Sequence, residues 1–208
     1  CIRVTYTHPD HPATPAVAEV RGNVLDRICI CVRAHLVSGA DGKSGTTVTE
    51  ADLKKIFDRV NELWSQACVH FEFSGKTDIQ PDRLDSDIRT ESALFGMLLL
   101  KGDPNCLDIF FVRRVDIPSA DSDLLGFAFR GAEGAAVDDE NPDLRGETTA
   151  HEIGHNFNLE DRGATGETGF LMSHTISGFN DKLDFLGEID KVRDFLRRGN
   201  KGRQQVYV

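Results

Sequence analysis

No apolar run in the 208 residues approaches the roughly 20 that a helix needs to cross a bilayer, so no transmembrane segment is expected. The five cysteines contain no CxxC pair and no zinc-finger spacing, which removes a cysteine-held structural metal from consideration. Internal repeats and low-complexity tracts are missing as well, which excludes solenoid and fibrous architectures. Basic charge is in short supply. The 24 Lys and Arg stand against 34 Asp and Glu, and the resulting net charge of -10 repels nucleic acid and anionic membrane surfaces. No nucleic-acid partner is expected, and the one basic run, Arg197, Arg198, Lys201 and Arg203, reads as a solvated helix end.

What is present suits one globular domain over residues 1–208, with 39% hydrophobic and 28% charged residues. Cys29 and Cys31 share one face of an expected strand, so one of them bridging to Cys68 or Cys106 stands beside the reading of buried free thiols. A chain beginning at Cys1 is read as processed or trimmed. The expected location is secreted, with a lipid anchor through Cys1 as the alternative.

Residues 1–25 carry three prolines and little periodicity, and an irregular segment is expected there. "RICICVRAHLV", residues 27–37, alternates as a strand does. After a glycine-rich loop, Thr49 caps an expected helix in which Leu53, Ile56, Phe57, Val60, Leu63, Trp64 and Ala67 form one apolar face. Residues 69–73 predict a second strand, 85–100 a helix, and 107–115 a third strand. Residues 124–129 and 134–137 are two short extended pieces, and 145–157 a helix. A final helix is marked by Leu183, Leu186, Ile189, Val192, Phe195 and Leu196.

The chemistry is concentrated in "TTAHEIGHNFNLED", residues 148–161. Residues four apart in a helix lie about 40° apart around its axis, so His151 and His155 share a face and can share a metal ion. Glu152 is then placed to act as general base rather than as a ligand. A catalytic zinc needs a third protein ligand, for which Asp161 is the candidate and Glu160 the competitor. The chain must turn sharply after His155 to deliver it, and Asn158 stands where a left-handed stop is required. Thr148 and Thr149 read as packing or capping residues, and His8, His11, His35 and His70 as surface or strand residues. The acidic string 138–143 reads as a solvated loop, with a Ca2+ site as the less favoured alternative.

His151, Glu152, His155, Asn158 and Asp161 resemble the extended zinc motif of the metzincin metallopeptidases, with asparagine in place of its glycine and the Asp-ended form of the snapalysin type. The resemblance implies an α/β zincin-like fold. Its parts would be a twisted, mainly parallel sheet with an antiparallel edge strand, an active-site helix, and a small irregular C-terminal subdomain carrying a Met-turn and a C-terminal helix. The upper subdomain would span about 1–158 and the lower about 159–208. Met172 would supply the Met-turn. Leu125, Gly126, Phe127 and Ala128 would lie in the edge strand that pairs with extended substrate. His174 would donate a hydrogen bond to the reacting carbonyl or act as a displaceable fourth ligand, against the reading of a surface loop histidine.

The implied activity is that of a zinc-dependent endopeptidase, monomeric, acting on protein or peptide bound in extended form with one catalytic Zn2+. A zinc-holding peptide-binding module without turnover, and a protease toxin of narrow specificity, are the alternatives.

Overall fold

The computed structural model describes residues 2–6, 16–20, 26–39, 45–79, 86–98, 100, 105–117, 124–163, 169–173, 182–184, 187–199 and 204–207. In chain order the elements are β1 (Ile2–Tyr6), β2 (Ala16–Val20), β3 (Arg27–Val37), α1 (Glu50–Trp64), β4 (Val69–Ile79), β5 (Asp87–Ile88), α2 (Glu91–Leu98), β6 (Cys106–Val112), β7 (Arg114–Val115), β8 (Gly126–Ala128), β9 (Gly134–Asp138), α3 (Arg145–Asn156), α4 (Glu188–Gly199) and β10 (Gln204–Tyr207).

The main sheet is mixed and mostly parallel. β4, β3, β6 and β9 run parallel to their neighbours, and β8 closes one side antiparallel to β9, with Gly126 opposite Val137 and Ala128 opposite Ala135. β4 lies along most of one edge of β3, so β6 and β10 share the other, on Cys31–Leu36 and Arg27–Ile30 respectively. The parallel strands, the crossover helix and the antiparallel edge strand β8 are as expected, whereas β10, antiparallel to β3, was not anticipated.

The alternating side chains of the strands divide the interior into two cores. Ile28, Ile30, Val32, Ala34 and Leu36 of β3, with Leu107, Ile109 and Phe111 of β6, face α1 and α3. From α1 they meet Leu53, Ile56, Phe57, Val60, Leu63 and Trp64, and from α3 they meet Ala150 and Ile153. Each large side chain buried there contributes about 1.5–3 kcal/mol. Trp64 also donates its indole N–H to the Ala150 carbonyl at 3.2 Å, which ties the two helices together deep in the protein. On the opposite face Val37, Phe110, Val112 and Ala136 pack with Ile88, Met97, Val115 and Ile117. Thr49 caps α1 through a reciprocal capping box with Asp52, as its position before the apolar stripe implied.

Several sequence expectations are corrected. The N-terminal segment contains a two-stranded antiparallel ladder rather than irregular chain, Ile2 opposite Val20 and Tyr6 opposite Ala16; Pro9, Pro12 and Pro15 all fall between the strands and leave the ladder intact. β4 continues to Ile79 because its backbone keeps pairing with β3 beyond the apolar stretch, while Glu72 to Ser74 and Lys76 to Asp78 are exposed to solvent. The expected helix at 85–100 is shortened to Glu91–Leu98, since Asp87 and Ile88 pair with β7 and Thr90 accepts the Ala93 N–H at 3.1 Å. The expected strand at 107–115 breaks after Val112, and Arg114 and Val115 leave the main sheet for β5.

Cys31 and Cys106 are register partners in β3 and β6 and form a disulfide, while Cys29 and Cys68 are free. The first two acids of the 138–143 string are buried, not solvated. Asp138 accepts the Val115 and Glu140 amides at 2.8 and 2.6 Å, and Asp139 is held by Arg145, Thr46 and the Thr47 amide. Their oxygens are engaged in anchoring the end of β9.

Candidate metal centre

α3 runs behind β9 and β8, and its buried face is almost continuous from Arg145 to Gly154. Thr148 and Thr149 are both buried within it, and Thr149 turns its hydroxyl back to the Arg145 carbonyl at 2.7 Å, so both threonines are packing residues. The helix ends where the sequence called for a stop. Asn158 has φ 64°, its amide donates to the His155 carbonyl at 2.8 Å, and the Leu159 amide donates to the Gly154 carbonyl at 3.0 Å. These are the two hydrogen bonds of a Schellman motif with asparagine at the left-handed position. The Gly131 amide, from the β8–β9 turn, also donates to the His155 carbonyl at 2.9 Å and locks the helix end to the sheet.

The reversal brings Asp161 back to the helix. Its Oδ1 lies 3.1 Å from His151 Nε2 and 3.4 Å from His155 Nε2, and donor atoms of the three residues all fall within 4.8 Å of one another. Donors bound to a tetrahedral zinc at about 2.0–2.1 Å are separated by roughly 3.3 Å, so the spacing fits such an ion. Orientation fits as well. His151 Nδ1 is 2.8 Å from the Leu171 carbonyl and His155 Nδ1 is 3.0 Å from the Leu159 carbonyl. A carbonyl can only accept, so each ring carries a proton on Nδ1 and directs Nε2 towards Asp161, where it can offer its lone pair to a metal or, when protonated, donate to the carboxylate. Among the described residues this is the group of His, Cys, Asp and Glu side chains that comes together in this way.

Without a metal the cluster holds protons instead. Burial alone would lower the His155 pKa, but hydrogen bonding to Asp161 and the charge of Glu152 overcome it and carry the value to about 9. His151 is raised in the same sense, against burial and chiefly through Asp161. Asp161 sits well below the usual carboxylate range, because the two histidines outweigh the opposing effect of burial. Burial pushes the Glu152 carboxyl up, with the two histidines pulling in the other direction.

Two glycines show how tightly the site is framed. A side chain at Gly126 in β8 would meet Glu152 Oε1 and Thr148 Cγ2, each at 2.8 Å, so only glycine lets the edge strand approach the Glu152 carboxyl. At Gly154 a Cβ would collide with the Met172 sulfur and stand 3.0 Å from its terminal methyl. Met172 is fully buried, seated directly against the helix between the two histidines.

The sequence had offered His151, Glu152, His155, Asn158, Asp161 and Met172, and the fold brings them all to one place. Glu160 lies outside the cluster, its exposed carboxylate taken by Arg130. Gly126 and Ala128 turn towards α3 and the larger core, whereas Phe127 packs on the opposite one, and Leu125 accepts the Asp138 amide through its carbonyl at 2.8 Å. His174 lies outside the described residues. Sequence reasoning missed Gly154, although a glycine inside a helix costs about 1 kcal/mol relative to alanine and so signals a packing demand. The Leu159 and Leu171 carbonyls carried no signal, because any residue type supplies one.

The sequence matches no protein-family model and no curated protein. Its fold is that of known metallopeptidase structures. Archaemetzincin from Methanopyrus kandleri superimposes with a TM-score of 0.52 at 18% identity, covering 80% of this chain and 96% of that one. Metalloproteinase-II from Bacteroides fragilis superimposes with a TM-score of 0.55 at 16% identity, covering 80% of this chain and 53% of its own, so the likeness spans about half of that protein. At these identities the likeness is one of fold.

Proposed function

We propose that this protein is a zinc-dependent endopeptidase whose metal is held by His151, His155 and Asp161. The observation that carries the reading is the donor geometry: two Nε2 atoms, freed by carbonyl acceptors behind them, converge on one carboxylate oxygen at 3.1 and 3.4 Å. A purely structural zinc site is normally closed by a fourth protein ligand, and a buried carboxylate that is not itself part of the cluster has no use there. The likeness to archaemetzincin and metalloproteinase-II supports the reading at the level of fold, and the Asp-ended motif supports its affinity with the snapalysin type.

When bound, the metal supplies Lewis acidity, polarising a carbonyl and lowering the pKa of water at its open position. Glu152 Oε1 receives the proton released in the attack on the scissile carbonyl and returns it to the leaving amine. Its position against Gly126 places that transfer beside the backbone of β8, which forms one edge of the sheet among the described residues. An extended peptide added to β8 would be bound by main-chain hydrogen bonds from residues 125–128, its carbonyl delivered to the metal. His174 is assigned the hydrogen bond to the developing oxyanion, and Met172 the role of the Met-turn, a floor that fixes the helix beneath the ligands. The Cys31–Cys106 disulfide suits an oxidising compartment and therefore a secreted enzyme.

Glu152→Ala tests the reading. The variant is expected to keep its zinc and lose at least a hundredfold in cleavage of a quenched casein substrate, since general acid–base catalysis typically contributes about 100- to 10,000-fold. Cleavage at the wild-type rate by a zinc-loaded variant would remove Glu152 from the mechanism.

A further inference from the structure

Asp161 stands beyond the end of α3 on a stretch with no regular structure, and its side chain is 44% exposed. A ligand so placed needs an outside restraint to hold its carboxylate on the metal. The next residue provides it. The Arg162 amide donates to the Met172 carbonyl at 2.7 Å, and Arg162 bridges to Ser173 in a parallel pairing.

Its side chain does three more things at once. Nε donates to Glu188 Oε1 at 2.8 Å, a terminal nitrogen donates to Asp184 Oδ2 at 3.0 Å, and the guanidinium carbon lies 3.8 Å above the centre of the Phe170 ring. Glu188 is buried at the start of α4, and its other oxygen accepts the Asp184 amide at 2.7 Å, so both carboxylate oxygens are engaged. α4 is itself seated in the larger core through Ile189, Val192 and Leu196.

We infer that Arg162 is the positioning residue of the metal centre, fixing Asp161 from one side and the Leu171 carbonyl behind His151 from the other by clamping the 169–173 segment to α4. Phe170 precedes Leu171 in the chain, and the Leu171 carbonyl is what orients the His151 ring. One guanidinium therefore reaches two of the three metal ligands without touching either. Lysine cannot replace it in full, because an ammonium is a point charge that cannot lie flat on a ring while donating sideways to two carboxylates. The inference rests on the metal-binding half of the proposed function and is independent of turnover.

The test is zinc affinity by competition with a chromophoric chelator, together with the visible absorption spectrum of the cobalt(II)-substituted protein at saturating metal. Arg162→Ala is expected to bind zinc ten- to a hundredfold more weakly than wild type, the range typical of groups that orient metal ligands, and to show a shifted cobalt spectrum. Arg162→Lys should recover part of the affinity and little of the spectrum. Glu188→Gln, which keeps shape and removes charge, should fall between wild type and Arg162→Ala, and provides the result if the alanine variant does not fold. Wild-type affinity and an unchanged spectrum in the folded variants would overturn the inference. A zinc-loaded wild type that cleaves nothing, paired with weakened binding in Arg162→Ala, would remove the peptidase reading and support this one.

Discussion

Two histidine–aspartate groupings lie among the described residues, and they are built to opposite ends. In the sheet, His35 of β3 reaches Asp108 of β6 with Nε2 2.8 Å from Oδ1, both side chains almost wholly buried, the ring stacked on Phe110 at 4.4 Å. Its other nitrogen and the second Asp108 oxygen have no hydrogen-bond partner among the described residues. At the end of α3, His151 and His155 face Asp161, which remains partly open to solvent, and both Nδ1 atoms are turned to backbone carbonyls. Among the described residues the first grouping has two members and no third donor, and both are buried; it joins two strands from inside the smaller core's face of the sheet. The second has three converging donors and an opening. Residue types alone do not make a cluster that could hold a metal: what separates the two is the backbone acceptor behind each ring and the chain reversal that delivers a third donor.

The sharpest way to break the comparison is to damage the closed pair. His35→Ala strands a buried carboxyl and removes a stacked ring, and should cost roughly 3–5 kcal/mol in denaturant unfolding while the folded fraction keeps its full zinc content. Zinc loss from folded His35→Ala protein would show that the two groupings are coupled. Gly154→Ala acts on the frame of the open one. A methyl driven against the Met172 sulfur should destabilise by about 1–3 kcal/mol, and Met172→Ala should cost less in the Gly154→Ala chain than in wild type, because the clash it relieves is then present. The smallest effect belongs to the turn. Asn158→Ala places an ordinary side chain at φ 64° and should cost about 1–2 kcal/mol, whereas Asn158→Gly should be neutral within a few tenths, because glycine accepts that backbone without strain. An alanine variant as stable as wild type would mean that the reversal is imposed by the 169–173 segment and not by Asn158.

The open grouping was largely legible in the sequence and the closed one was not, for a physical reason. His151, Glu152 and His155 are fixed relative to one another by helix geometry, and Asn158 announces the turn through its own tolerance for positive φ, so eleven residues, 151–161, contain most of the site. His35 and Asp108 meet only because β3 and β6 are adjacent in the sheet, a pairing that no local spacing encodes. The same limit hid the choice of Cys106 as the partner of Cys31, and the departure of β7 from the sheet to meet β5. The order of the larger elements from β3 to α4 was readable from periodicity, whereas the short strands β1, β2, β5, β7 and β10 were not. Element ends were less so, since β4 is prolonged by backbone pairing where its side chains turn polar.

Asp161 is the residue on which the proposed His, His, Asp centre depends. Zinc content should be measured by elemental analysis on wild type and Asp161→Ala, with chelator-sensitive cleavage of quenched casein followed in the same samples. Stoichiometric zinc and cleavage in the wild type, with both lost in a folded Asp161→Ala, is the predicted result. Zinc retained in full by the variant would contradict the His, His, Asp centre and move the third ligand elsewhere.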